Sequence, residues 1–458
     1  MTRPEQIFLF NSSLPSGPGV ESFLSSMGPA TDSIRGRNIG NSYISYGFLT
    51  ALFGKPVHVD HVSAGWDTEL SDQLAGEINE RYSHLVFVLQ DAIRADFAHL
   101  PFERFADFLE KIQIPVVPIS LGANSFDGFD RELVNKLGAE QKRFLHVLAE
   151  RSRLIGVRGS YTAEVLSRLG LPNVVVTGCP SYFANGAERN VEKRPWDPDR
   201  VITTATFFNR HLPRTAHLLQ DELYFIHRLF LGEPPPASHA SPTARPYNLY
   251  EIRTSMHLLM KALMGRLEFF SDLNRWAAFF RSNDHCLTIG TRLHSAIFSI
   301  NCGVPAIVTN PDSRARESCE FLRIPYDPAV DAQSDIEALY GQLDLTEMNA
   351  AYPALHGGFV RYLTAHGLKP TPAPDTAPEI VFPDYPKRHD PSVLQDLYSA
   401  YSEVVARIEE EMIALEFFGG KRAVRARDQF RRLGNRNPSR SMLRYLSELS
   451  GGRTDGAV

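Results

Sequence analysis

The sequence predicts an α/β protein with doubly wound parallel sheets, on three observations. Short apolar runs of strand length alternate with helical patterns along most of the 458 residues. Several of these runs end in Gly or polar residues: Gln90-Asp91, residues 120–124, Arg158-Gly159-Ser160 and residues 178–181. Residues 283–314 read as a complete βαβ unit. A strand at 286–289 breaks at Gly290-Thr291, a buried helix at 295–300 is closed by Asn301-Cys302-Gly303, and a second strand follows at 304–309. Arg292 and His294 therefore fall at a strand's carboxyl end beside a helix N-terminus. Open α/β sheets bind ligands there, and helix N–H groups face anions.

In chain order, residues 6–10 form the first strand, and the Gly-, Pro- and Ser-rich loop at 11–19 is suited to wrapping a ligand. Asn38-Ile39-Gly40-Asn41 leads into a helical pattern at 42–53. This loop is a candidate substrate edge, and Asn41 reads equally well as a helix N-cap. Strands are expected at 56–62, 85–89, 115–121, 153–157 and 174–177, separated by helices that include 70–82, 102–111 and 139–151. Ser160 is placed to cap the helix after Arg158. Arg158 itself reads either as a fork for a carboxylate or phosphate, or as a surface Arg paired with an acid.

Residues 188–199 are charged and hold prolines, so they read as a linker between domains, and 200–208 opens a second α/β region. Helical patterns follow at 218–231, 248–264 and 272–282. Between the first two lies an insertion, 232–247, whose five prolines exclude a regular helix or strand. Beyond the βαβ unit, helix and loop continue to 368. The sequence thus divides into 1–190, 199–368 and a C-terminal extension, 369–458, made of a Pro-rich connector, a long helical pattern at 391–418 and a basic tail.

Composition narrows the function. A formal net charge of -5 gives no reason to expect nucleic acid as a partner. Apolar runs fall far short of a membrane span, and the N-terminus lacks a secretory pattern. The four cysteines, Cys179, Cys286, Cys302 and Cys319, show no CxxC spacing, so a reducing cytoplasm is the expected compartment and no metal site is expected. Residues 421–444 carry nine basic residues and one acidic residue, Asp428. They read as a solvated tail, or as a segment that attracts nucleic acid, a phosphate-rich glycan carrier or anionic lipid headgroups, the last as a peripheral contact at the inner face of the membrane.

Taken together, these segments resemble the polysaccharide pyruvyl transferase family. The resemblance lies in Leu-Ile-Gly-Val-Arg-Gly-Ser at 154–160 with the helix ending in Leu169-Gly170, in the strand and Pro loop at 174–181, and in Gly-Thr-Arg-Leu-His with Gly-Val-Pro between 290 and 305. Asn38 to Asn41 adds a weaker match. The likeness spans 35–330. The chain departs from many members in carrying Cys179-Pro180 where they have Asp-Pro, and in the insertion at 232–247.

The resemblance implies two Rossmann-like domains facing a cleft, similar to GT-B glycosyltransferases. It implies transfer of pyruvate from phosphoenolpyruvate to a sugar, with a cyclic ketal formed and phosphate released. Phosphoenolpyruvate would be a co-substrate, with no metal or other cofactor, and the acceptor a glycan or lipid-linked oligosaccharide. His294 and Arg292 would serve catalysis, His294 as general acid/base because its ordinary pKa lies near the operating pH. Arg158, Arg292, Thr291 and Ser295 would hold phosphoenolpyruvate, although Thr291 and Ser295 serve equally well as helix caps. Asn38, Asn41 and Asn124 would lie on the acceptor side. Arg314 and Arg316 read as a solvated cluster, with closure over the anion from the next strand end as the alternative. Cys179 reads as a small residue in a tight loop, with thiol addition or acid catalysis as the sharper alternative. Two other functions stay open: a GT-B glycosyltransferase using a nucleotide sugar, to which Asp312 and Glu320 would contribute an acidic pair, and a non-catalytic scaffold for glycan assembly.

Overall fold

The computed structural model describes residues 5–11, 39–52, 57–62, 70–97, 101–125, 128–205, 207–212, 214–220, 257–258, 261, 266–269, 273–282 and 284–370. The chain forms two compact units. One comprises Met1–Ser26, Asn38–Pro213 and Asp272–Pro383; the other comprises Met27–Arg37, Arg214–Ser271 and Asp384–Val458.

The first unit runs β1 (Glu5–Phe10), α1 (Ile39–Thr50), β2 (Val57–Val62), α2 (Asp72–Arg81), β3 (His84–Val88), α3 (Phe102–Lys111), β4 (Val116–Ile119), α4 (Leu133–Lys136), α5 (Ala139–Arg151), β5 (Ile155–Val157), α6 (Ser160–Arg168), β6 (Val174–Val176) and β7 (Val201–Thr204). In the second unit β8 (Ala216–Leu219) and β9 (Leu267–Phe269) pair in parallel. The first unit resumes with α7 (Leu273–Ser282), β10 (Leu287–Gly290), α8 (Leu293–Asn301), β11 (Ala306–Thr309), α9 (Ser313–Leu322), β12 (Tyr326–Asp327), α10 (Ile336–Gln342) and α11 (Thr346–Ala365).

Within the first unit β2, β1, β3 and β4 lie side by side, all parallel. Single bridges carry the edge of β4 onward: Leu121 bridges to Val157 at the end of β5, and β5 pairs in parallel with β6. A second parallel set runs β12, β11, β10, β7. The fold class is therefore α/β with parallel sheets. Because the strands of each set are parallel, the loops that follow them emerge on the same side of that set.

The helices bury the faces that their sequences mark. In α3 the buried positions Phe102, Phe105, Ala106 and Leu109 follow the i, i+3, i+4, i+7 stripe. They pack with Phe10, Phe87 and Phe144 into an aromatic core, in which Phe10 and Phe87 meet edge to face at 5.0 Å. Ser71 caps α2 by accepting the Leu74 N–H at 3.1 Å, and Asp312 caps α9 by accepting the Ala315 N–H at 2.8 Å. Gly290 ends β10 at φ +154°, and a Cβ there would collide with the hydroxyl oxygen of Thr204. That close approach of two strands requires the glycine of the Gly-Thr-Arg-Leu-His segment.

Some expectations need correction. The pattern at 218–231 predicts a helix, but Leu218 and Leu219 lie in β8, with His217 and Gln220 beside them also buried. Burial on both faces erases the alternation that would mark a strand. Helix α1 begins at Ile39 rather than at 42, so Asn41 lies inside the helix and is not its N-cap. Asn38, the insertion at 232–247, most of the loop at 11–19 and all of the C-terminal extension after Pro370 lie outside the described residues. Among the described residues no helix is long and apolar enough to cross a membrane.

Candidate active site

The carboxyl ends of six strands in the first unit supply one cluster of polar side chains. Asp91 follows β3, Ser120 follows β4, Arg158 follows β5 and Cys179 follows β6; Arg292 and His294 follow β10, and Arg314 follows β11. Both strand ends that place Asp91 and Ser120 are bent backbone. Gln90 and Ser120 take left-handed φ angles of 50° and 61°, an uncommon conformation for residues with a Cβ and one concentrated at functional sites.

Arg158 is the centre of the cluster and is 1% exposed. Its Nε donates to Ser120 Oγ at 2.9 Å, while Nη1 and Nη2 are buried with no hydrogen-bond partner. Burial and the charge of Arg314 push its pKa down, so the site holds an under-compensated cation. Arg314, 24% exposed at its side chain, reaches Asp91 at 3.3 Å and Asp312 at 3.4 Å. Asp91 also pairs with Arg94 at 3.2 Å. Burial alone would raise the Asp91 pKa, but Arg314, Arg94 and Arg158 hold it at about 2. Asn124 donates to Asp312 at 3.4 Å. Gly122 separates the two arginines: a Cβ there would lie 3.2 Å from Arg158 Cδ and 3.3 Å from Arg314 Cγ.

His294 is 7% exposed, in the first turn of α8. Its Nε2 lies 3.6 Å from Cys179 Sγ, which also contacts Ser181 Oγ at 3.0 Å and Ser120 Oγ at 3.6 Å. A hydrogen-bonded chain therefore links Arg158, Ser120, Cys179 and His294. Burial, together with the charges of Arg158, Arg314 and Arg292, drives the His294 pKa well below its ordinary value, and Asp91 only partly offsets them. The imidazole is neutral at pH 7.

Helix α1 closes the cluster on a third side. A Cβ at Gly40 would lie 2.6 Å from His294 Cβ and 2.7 Å from its Nδ1, and one at Gly47 would collide with the Pro180 carbonyl oxygen. These glycines are seven residues apart, two helical turns, so one bare face of α1 lies directly on His294 and on the loop that carries Cys179. At the end of α8, Asn301 donates to the Tyr43 hydroxyl of α1 at 2.7 Å and to the Ser181 carbonyl at 2.8 Å.

Of the residues that the sequence nominates for the site, Arg158, Arg292 and His294 fall in this cluster, and Asn124 joins its rim through Asp312. Ser295 is fully buried with its hydroxyl unpartnered, Thr291 is half-buried, and neither caps α8, whose N-cap position is Arg292. Asn41 is half-buried in the first turn of α1. Arg158 is not a surface Arg paired with an acid. Ser160 is exposed and caps nothing; instead the buried Glu317 accepts the Thr162 N–H at 2.8 Å and the Thr162 hydroxyl at 2.5 Å, serving the start of α6 from another element. Arg314 is half-buried rather than fully solvated: Asp91 and Asp312 draw it into the cluster, the place that the alternative reading gives it. Arg316 is exposed and pairs with Glu320 at 2.9 Å, one turn along α9. Asp312 and Glu320 are thus committed to a helix cap and an ion pair. Sequence reasoning misses Asp91, Ser120 and Glu317. It marks Ser120 and Asp91 only as strand-end polar residues, and nothing local marks Glu317. Among the described residues no group of three or more His, Cys, Asp or Glu side chains is placed to hold a metal ion.

Comparison with known proteins gives one family and some distant structural neighbours. Two solved structures similar to this chain are HepE of Anabaena in complex with UDP and glucose, at 10% identity over 79% of this chain and 95% of that one, with a TM-score of 0.36, and the lipopolysaccharide outer core galactosyltransferase WaaB in its apo form, at 9% identity over 79% and 98%, with a TM-score of 0.33. Likenesses this slight bear on neither the site nor its chemistry. Curated proteins give no match. The family model for polysaccharide pyruvyl transferase matches residues 38–313, and so takes in Asp91, Ser120, Arg158, Cys179, Arg292 and His294 of the cluster and stops one residue short of Arg314. The chain belongs to the polysaccharide pyruvyl transferase family.

Proposed function

We propose that this protein transfers pyruvate from phosphoenolpyruvate to two hydroxyls of one sugar in a cell-surface polysaccharide or its lipid-linked precursor. A cyclic ketal forms and phosphate is released. The supporting observation is Arg158, a buried guanidinium with both Nη groups unpartnered, which shares its cluster with Arg292 and Arg314. A site with this excess of desolvated positive charge suits a small polyanion carrying both a phosphate and a carboxylate, and Arg forks onto either. The arginines supply the charge that the leaving phosphate needs, so the proposal calls for no resident cofactor, and it places the reaction in the cytoplasm.

The chemistry requires a proton at C3 of phosphoenolpyruvate, which makes C2 electrophilic, and the removal of protons from two sugar hydroxyls. His294 is the proton-transfer group. It is neutral in the empty site because it is buried and three cations surround it. A bound polyanion reverses that field, so phosphoenolpyruvate should enter with uptake of a proton at His294. Linkage then fixes the sign: affinity tightens as pH falls, by up to about tenfold per pH unit. Calorimetry in buffers of different ionisation enthalpy measures the uptake. Proton release on binding, or none, would contradict the role given to His294.

The activity is tested by incubating the protein with phosphoenolpyruvate and candidate glycans while following phosphate release and the mass gain of a pyruvyl ketal. Turnover of a nucleotide sugar without consumption of phosphoenolpyruvate would sink the proposal.

A further inference from the structure

We infer that the proton moved by His294 travels through the thiol of Cys179. This rests on the phosphoenolpyruvate reading above and adds a catalytic residue to it. The two nitrogens of the His294 ring have different neighbours. Nδ1 lies against the first turn of α1, where even a Cβ on Gly40 would come within 2.7 Å, and Nε2 faces Cys179 Sγ at 3.6 Å. The ring reaches the cluster through sulfur. On the other side of the sulfur, Ser120 Oγ lies 3.6 Å away and holds Arg158 Nε at 2.9 Å. Arg158 keeps its Nη1 and Nη2 for a ligand, so the anion it grips lies on the Cys179 side of the ring.

Cys179 is fixed in this place. Gly178, at φ +73°, turns the chain after β6, Pro180 starts a 3-10 turn, and α1 packs its Gly47 face on the Pro180 carbonyl. The thiol is fully buried, with Ser181 Oγ at 3.0 Å. A hydrogen-bonded thiol between a ring nitrogen and an anion-binding arginine has the geometry of a relay.

With phosphoenolpyruvate bound and His294 protonated, Nε2–H gives its proton to Sγ as the S–H proton passes to C3, whose π pair forms the new C–H bond. The first sugar hydroxyl bonds to C2, and its proton returns by the reverse path, to sulfur and from sulfur to Nε2. The second hydroxyl then bonds to C2 while the C2–O bond to phosphate breaks, and its proton leaves with the phosphate. C3 has gained one proton and the phosphate one, the two hydroxyls have each lost one, and His294 and Cys179 end as they began.

The test compares Cys179→Ala and Cys179→Ser with the wild type. Phosphate release gives kcat and KM for phosphoenolpyruvate, and thermal-shift binding of phosphoenolpyruvate shows that each variant is folded with a working anion site. Cys179→Ala should lose about 100-fold in kcat, the usual worth of a positioned proton-transfer group, with KM changed less than about threefold. Cys179→Ser, whose hydroxyl keeps a relay atom in place, should recover part of that loss. A Cys179→Ala variant that binds phosphoenolpyruvate and keeps kcat within about twofold of wild type overturns the relay. Wild-type protein that releases no phosphate with any glycan overturns the relay together with the phosphoenolpyruvate reading. The two failures differ in whether the wild type or only the variant result goes against expectation.

Discussion

Arg158 shows the tension between stability and function at the scale of one residue. An Arg that is 1% exposed with two donors that no protein group accepts is a cost to the empty fold. Arg158→Met keeps the length of the side chain and removes the charge. The variant should be more stable than wild type in the absence of ligand, by about 1 to 3 kcal/mol in denaturant unfolding. It should also lose the thermal stabilisation that phosphoenolpyruvate gives the wild type. Loss of stability instead would show that the guanidinium is satisfied in the empty protein, for instance by ordered water. The sequence marks Arg158 because it stands at a strand end beside a helix start, a position visible locally. It does not show that Arg158 is unpaired, because the acid nearest in role, Asp91, is taken by Arg94 and Arg314. Arg314 reads as solvated in the sequence for the same reason: its partner Asp91 lies in a different element far back in the chain.

At the scale of elements, α1 and the β10–α8–β11 unit differ in how plainly the sequence shows them. The βαβ unit is legible because glycines mark its breaks: Gly290 at φ +154° and Gly303 at φ +77° are required by backbone geometry. Helix α1 reads as starting three residues late because Gly40 lowers helix propensity at its start. That glycine serves tertiary contact, which a local pattern cannot show. Likewise the cap on α6 comes from Glu317, 155 residues from Thr162, while the nearer candidate Ser160 faces solvent. The bare face of α1 makes a test of opposite signs. A methyl added at Gly76 in α2 would meet nothing within 4 Å, so Gly76→Ala should stabilise by about 0.5 to 1 kcal/mol through propensity alone. Gly47→Ala gains the same propensity but drives a methyl into the Pro180 carbonyl, so it should destabilise by about 1 to 3 kcal/mol and lower kcat by shifting the loop that carries Cys179. Denaturant midpoints of the two variants decide it. Equal gains in both would mean that α1 does not press on that loop.

For the folded molecule as a whole, buried titratable groups set opposing slopes of stability against pH. His366, 5% exposed with Nε2 at 3.1 Å from the Leu154 carbonyl, is pushed down to about 4 by burial; His294, His285 and His356 are lowered as well, in each case chiefly by burial. Below the ordinary histidine pKa of about 6.5 the unfolded chain takes up protons that the folded rings refuse, so these groups make stability fall as pH drops through 6.5. Glu317 works the other way. Burial raises its pKa from 4.5 to about 7, against the pull of its hydrogen bonds from Thr162 and the charges of Arg158 and Arg314. Between 4.5 and 7 the folded protein holds a proton there that the unfolded chain has lost, so this group makes stability fall as pH rises through that window. With four such rings on one side and a single carboxyl on the other, the rings dominate, so wild-type stability should rise from about pH 4.5 and level off above about pH 7. Glu317→Gln deletes only the opposing slope. Relative to wild type the variant should gain stability steadily from about pH 4.5 to 7, to at most about 3 kcal/mol, after any constant offset from the altered Thr162 contacts. Unfolding free energies measured at half-unit intervals test this directly. Parallel curves for the two proteins would mean that Glu317 titrates as an ordinary carboxyl, and that the start of α6 is held by a permanently charged partner.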